Sequence, residues 1–505
     1  MDLTDWDAPD PGYVVTPASN AEWDLLARRY RGSLNDLPFD RCLKVARDLG
    51  ARTVVVETRW DDPDYSSEYR AYYCWVFQDV PRHTHRLHFL AADNLSGVRP
   101  SDLPTDPGYI GYVSVRPVSE GSVSRAMLPP PPDVPGVRCA AQEEVHLFGR
   151  RYTVSGVPFA QQDTGLGACA HAAAWMCHRT AYLKGDVADR SRADFALHSD
   201  PSLSPHRALP STGLTVHQLS DLLHRFDLPA TFYTLGSLPS PRLPWQAPDP
   251  VPPTPGAPGG AWDTRVFAVL CRYLNGGRPV LVGTRDHAFV VLGWSRDPTN
   301  GKIRFVRHDD QRGPYLPVDN PLDDKLVLPN GSIHQYGPWN TLQAPAPPTL
   351  WQTPEPAELR AGLLIVAVSR RLALRSAATG TALEGLDDLI TDARLALRTY
   401  ACDGNAFKER AAGLGMDPTH VSGYAEARLP KQVWVVEAVD RDLRTAGLPC
   451  VLGEVLVDAT SSDHNPYAVA VRVHGVLTIM ATAERTQGPF HGSASPTTSG
   501  GSGDP

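Results

Sequence analysis

Apolar positions recur at helical spacing and then at strand spacing, and Pro/Gly-rich runs punctuate the pattern. In the first third, residues 20–30 and 39–49 carry the three-to-four-residue rhythm of amphipathic helices. Residues 53–57, 69–77, 86–91 and 110–118 read as strands. The middle third starts a helix at Cys169 that runs to Leu183, and Ala172, Ala173, Met176, Thr180 and Leu183 share its cysteine face. Thr215-Val216-His217-Gln218 forms a capping box ahead of Leu219, Leu222, Leu223 and Phe226. Residues 262–274 predict a third helix, stopped by Gly276-Gly277. Strands follow at 279–284, 287–294 and 303–308, with a turn at 298–301 joining the last two. In the last third, 386–400 and 405–414 predict helices, and 432–439, 451–459 and 467–476 predict strands.

This order, helices first and a meandering sheet after, is that of an α+β protein. The breaks divide it into an N-terminal α+β domain over 1–135, a central domain over 136–343 with a Pro-rich insertion at 237–261, and a C-terminal α+β domain over 357–486. The Gly/Ser/Pro-rich tail, 487–505, is expected to be disordered. A length of 505 residues suits about two to four domains.

Composition narrows the function classes. A formal net charge of −8 gives no basic footprint for nucleic acid. No apolar run reaches the ~20 residues that cross a bilayer, and the acidic start, Met1-Asp2-Leu3-Thr4-Asp5, is not that of a secretory signal. Eight scattered cysteines without a CxxC fit reduced thiols in a cytoplasm and no structural zinc. The expectation is a cytoplasmic protein with neither a nucleic-acid nor a membrane partner.

Candidate chemistry gathers in the middle third. A Gly-rich loop, Asp163-Thr164-Gly165-Leu166-Gly167-Ala168, leads straight into Cys169 at a helix start. Unpaired N–H groups and the positive end of the helix dipole favour an anion there, such as a thiolate. Asp286-His287-Ala288-Phe289 opens a strand downstream, and Asp309-Asp310 closes another. An imidazole can hold the thiol proton, and a carboxylate on its other nitrogen fixes the tautomer. Gln161 and Gln162, eight and seven residues before Cys169, offer an amide to an oxyanion.

The order of Gln-bearing loop, Cys-led helix, His-led strand, hairpin and Asp-terminated strand resembles the papain-like cysteine peptidases. Residues 287–294 and 305–310 are closest to the bacterial branch that processes bacteriocin leaders. The resemblance covers residues 150–320. It implies a helix bundle packed on an antiparallel sheet and a peptidase acting on a protein or peptide. In that scheme Cys169 is the nucleophile, His287 the base, Asp309 the orienting carboxylate and Gln162 the oxyanion-hole amide, with no cofactor or metal. Asp310 is the alternative third residue. The flanking domains would select the substrate or hold a partner protein. The same chemistry also suits glutamine deamidation or transglutamination. The Ala168-Cys169-Ala170-His171 context leaves open an inactive binding scaffold. A separate signal, His83-Thr84-His85, has a metal-ligand spacing, but no later ligand series follows it, and a basic, partly exposed strand edge is the simpler expectation.

Overall fold

The computed structural model describes Trp6 and residues 11–479, apart from short stretches at 33–35, 94, 96, 119–120, 164–166, 168, 298, 300–301, 320–323, 328–331, 351–352, 414–415, 462–466 and 474–475, and longer ones at 200–212, 235–263, 379–394 and 441–450. The Pro-rich insertion, the C-terminal tail and the first half of the helix expected at 386–400 lie outside the described residues. Two compact units divide the remainder at Pro348/Thr349.

The first unit opens with β1 (Gly12–Val15), α1 (Asn20–Tyr30), α2 (Leu37–Asp48), β2 (Thr53–Trp60) and α3 (Pro63–Ala71). β3 (Thr84–Leu90), β4 (Tyr109–Val115) and β5 (Val123–Met127) complete an antiparallel meander in chain order. A hairpin, β6 (Ala141–Leu147) and β7 (Arg150–Gly156), leads to α4 (Cys169–Leu183), α5 (Arg192–Leu197) and α6 (Val216–Arg225). Then come β8 (Ala230–Thr234), α7 (Thr264–Leu274), β9 (Val280–Gly283), β10 (Ala288–Arg296), β11 (Ile303–Asp309), β12 (Gly313–Val318), β13 (Asp324–Val327), β14 (Ile333–Gly337) and β15 (Thr341–Pro345). A six-stranded sheet forms in the order β12-β11-β10-β9-β15-β8, with β13 and β14 a separate pair. Helices against antiparallel sheets make the chain α+β, as its patterning predicts.

The helix at Cys169 differs from the one-faced amphipathic expectation. Ala170 through Ala181 are all buried, so α4 runs through the interior with protein on every side. Its alanines let α5, α6 and β10 approach closely. The first sheet and the cysteine-bearing part share one unit. Arg41 on α2 donates to the carbonyls of Pro314 and Tyr315 at 3.1 and 2.8 Å, and the Tyr315 hydroxyl donates to Leu128 O at 2.6 Å.

The second unit holds α8 (Pro354–Ala378), β16 (Leu395–Asp403), α9 (Gly404–Gly413), α10 (Pro418–Glu426), β17 (Gln432–Asp440), β18 (Val451–Asp458), β19 (Ala468–Val473) and β20 (Val476–Ile479). Its sheet is an antiparallel meander, β16 to β20, with α8 packed on its middle strands.

Three local expectations fail, each for a visible reason, and a fourth is met in part. Residues 69–77 are not a strand: Asp62 caps a helix by accepting from the backbone N–H groups of Asp64 and Tyr65, Pro63 fits its first turn, and Tyr65 and Tyr69 stack edge-on one turn apart. Residues 395–400 are a strand rather than a helix, because β16 pairs with the wholly buried β17 over nine residues, which overrides the helix propensity of Leu, Ala and Arg. β3, expected as an exposed edge, is the central strand of its sheet and buried along its length. The strand expected at 467–476 is met by β19 over Ala468–Val473, and β20 begins at Val476. Among the described residues no helix is long and apolar enough to cross a membrane.

Candidate active site

Cys169 stands at the first position of α4, half-buried, beside β10. Cys42, Cys139 and Cys177 differ from it: all three are sealed in the core, and burial pushes each thiol up. His287 directly precedes β10, and its carbonyl accepts from the N–H of Thr284 at 2.8 Å, which closes the turn from β9. Asp309 ends β11, the hairpin partner of β10, and is wholly buried.

The three side chains meet. The His287 Nε2 hydrogen-bonds Asp309 Oδ1 at 3.1 Å. The other ring nitrogen, Nδ1, is buried and lacks a well-aligned hydrogen bond, yet the ring has Cys169 as a hydrogen-bonding neighbour. With Nε2 given to Asp309, Nδ1 is the nitrogen open to the sulfur, and loose alignment is usual for a nucleophile and base at rest.

Asp309 is built as an anion. Its Oδ1 also accepts from the N–H of Gln311 at 3.0 Å, and its Oδ2 from the Tyr336 hydroxyl at 2.5 Å. Burial alone would raise its pKa; the His287 charge and hydrogen bond, Arg307 and Tyr336 outweigh that and hold the carboxyl well below the usual range. For His287, burial pulls the pKa down, but the Asp309 charge and hydrogen bond, Cys169 and Asp310 lift it to about 11. These neighbours favour the charged, imidazolium form of the ring.

Nothing in the patterning of residues 333–337 singles out Tyr336. It reaches Asp309 because β13 and β14 fold back over the site. Its ring lies over His287 at 5.8 Å and 28°, and the Arg307 guanidinium sits 3.9 Å from its centroid. Arg307 is itself held by Asp324, which also accepts from Trp339 Nε1 at 2.9 Å.

The two glutamines separate. Gln161 is structural: its Oε1 accepts from Val123 N at 3.0 Å and its Nε2 donates to Asp36 Oδ1 at 3.0 Å. Gln162 is half-buried and lines a small cavity with Gly167 and His171. The first sheet grips this stretch. Arg116, fully buried, donates to the carbonyls of Gln161 and Gln162 at 2.9 and 3.2 Å and pairs with Glu68 at 2.7 Å. Tyr73 donates to Asp163 at 2.6 Å. Gly121 is needed for this approach: its φ is +81°, and a Cβ there would stand 2.3 Å from the Gln162 oxygen.

Asp310 is buried too, with Oδ1 3.7 Å from His287 Nε2. His287, Asp309 and Asp310 offer ligand atoms close enough together for a metal. Asp309, however, already accepts three hydrogen bonds, an arrangement suited to orienting an imidazole. His171 and His178 are buried, and His178 touches Phe195 and Phe226 with its pKa pushed down to about 4 by burial. His85 stacks on Trp6 at 3.9 Å, with its ring nitrogens on Tyr30 and Trp6 O, and His83 pairs with Asp61.

No protein family matches the sequence, and no curated protein matches it. Among solved structures the chain is similar to the crystal structure of UfSP from C. elegans, at 13% identity with a TM-score of 0.23. The likeness covers 38% of this chain and spans about a third (34%) of that one.

Proposed function

We propose that the first unit is a papain-like thiol hydrolase, a cysteine peptidase acting on a protein or peptide. Cys169 is the nucleophile, His287 the general base and acid, Asp309 the orienting carboxylate and Gln162 an oxyanion donor. The observation that carries the reading is the meeting of Cys169, His287 and Asp309 from elements more than a hundred residues apart in sequence.

In this scheme the Cys169 thiolate attacks the substrate carbonyl carbon, forming a C–S bond, while the oxygen takes the negative charge. The N–H groups opening α4 and the Gln162 amide stabilise that charge. The imidazolium gives its proton to the leaving amine as the C–N bond breaks, and an acyl-thioester remains. Water then attacks as His287 takes its proton, and the C–S bond breaks to restore the thiolate and the imidazolium. Asp309 stays ionised throughout and holds the ring. A side-chain amide would enter the same sequence, so deamidation shares every step but the identity of the carbonyl.

Iodoacetamide labelling, followed residue by residue by mass spectrometry, tests the pair. Cys169 is expected to alkylate faster than the exposed Cys74, and His287→Ala to slow it by at least about 10²-fold. Labelling of Cys169 no faster than Cys74, and indifferent to His287, would leave the fold a scaffold without this chemistry.

A further inference from the structure

The thiol-hydrolase reading leaves Asp310 without a role, yet its placement is costly. It is wholly buried, and neither carboxyl oxygen accepts a hydrogen bond from another residue. It nonetheless faces the same ring nitrogen that Asp309 holds, at 3.7 Å against 3.1 Å. Two buried carboxylates against one imidazole repel each other, so one ionises far more readily than its neighbour. The donors decide which. Asp309 has three, from His287, Gln311 and Tyr336; among the described residues no other residue donates to Asp310. A register irregularity between Arg307 and Asp309 in the β11–β12 pairing lies at the point where two consecutive carboxyls turn to one ring instead of opposite faces.

We propose that Asp310 is a positioning residue of the site: a neutral carboxylic acid that flanks the imidazole beside the Asp309 anion and supplies a second negative charge to it once ionised. The proposal rests on the thiol-hydrolase reading of Cys169 and His287. The charged groups that act on Asp310 are His287, Asp309 and, more remotely, Arg192. Burial raises its pKa most; His287 opposes this and Asp309 adds to it, leaving the group titrating at about 7. The charge next to His287 thus changes within the neutral range, and the thiolate–imidazolium pair responds to it.

The sign for stability follows. A carboxyl whose folded pKa is raised from 3.8 to about 7 gives a contribution that is full below 3.8 and lost as pH rises through about 7. Above that range the wild type carries a buried second charge that Asp310→Asn, similar in size and uncharged, does not.

Three measurements on the full chain test this with Asp310→Asn, and with Asp310→Ser should the first variant fold poorly. Difference infrared spectra at pH 6 are expected to show a protonated-carboxyl band in the wild type that the variant lacks. The pH profile of iodoacetamide alkylation at Cys169 is expected to carry an inflection near 7 that the variant loses. The variant is expected to melt above the wild type at pH 8.5 and level with it at pH 4. An unchanged alkylation profile, or no acid band lost at pH 6, overturns the role of Asp310 while leaving Cys169 and His287 standing. Alkylation that does not depend on His287 overturns the hydrolase reading, and this proposal with it.

Discussion

In the C-terminal sheet four charged side chains stand in register across β16 to β19: Arg398, Glu437, Glu454 and Arg472. Both glutamates are buried, and each has its own partners. Arg398 and Tyr400 serve Glu437, while Arg472 at 2.9 Å and Tyr424 at 2.6 Å serve Glu454. Around His287 the charges are equally buried but differently arranged. Asp309 has more donors than it needs, Asp310 has none, and the imidazole keeps one nitrogen toward a thiol. The row in the second unit is closed, so its charges hold a sheet together. The cluster in the first unit is open, so part of its electrostatics is left for a reacting group.

Substitutions at five positions would sharpen or break that contrast. The largest effect is expected at Gln162. Gln162→Ala should slow acylation by p-nitrophenyl acetate about 10²-fold while sparing iodoacetamide alkylation, which builds no oxyanion. Its neighbour is the control: Gln161→Ala should lower the melting temperature, because it removes the side-chain acceptor of Val123 N and one of the donors to Asp36. Equal kinetic losses at both glutamines would refute the assignment of roles.

Next comes the closed row. Glu454→Gln leaves Arg472 without its carboxylate and should cost about 2 kcal/mol, read from denaturant unfolding of the second unit. Cys169 alkylation should not change. If it does, the two regions are coupled and the division drawn here is wrong.

The smallest effect is expected at Tyr336→Phe, which removes one of three donors to Asp309 and should slow alkylation of Cys169 by about tenfold. The pH dependence of stability has a definite sign at this site. The His287 pKa is raised to about 11, so its contribution is full below its ordinary 6.5 and lost as pH rises through about 11. Asp309 is lowered, so its contribution is present above 3.8 and lost as pH falls through its depressed folded value. Melting curves across the pH range should show both limbs reduced in His287→Ala.

Much of the site can be read along the chain because its parts sit at element ends. A Gly-rich loop before an alanine run marks the start of α4, and a histidine ahead of an alternating apolar strand marks β10. Tyr336 could not be found that way. Its role depends on β13 and β14 folding over the site, a long-range event without a local signature. Arg116 and Tyr73 escaped for the same reason: one follows β4 and the other lies in the turn after α3, and only packing brings them to the carbonyls and carboxylate just ahead of Cys169. The aromatic run at 69–77 misled because strand and helix both tolerate it, and the cap at Asp62 decided between them.

By itself, then, the sequence determined an α+β chain, the helix that begins at Cys169, the strand that follows His287, the strand that ends at Asp309, and the candidate thiol, imidazole and carboxyl. These are local matters, governed by periodicity, capping and turn residues within a few positions. Tertiary structure alone decided that β15 lies between β9 and β8, that Gln161 turns inward while Gln162 faces the cavity, and that of two adjacent carboxyls Asp309 receives the donors and Asp310 none. The physical reason is that burial and donor count, which set the charge of a carboxyl, are properties of surroundings assembled from distant segments.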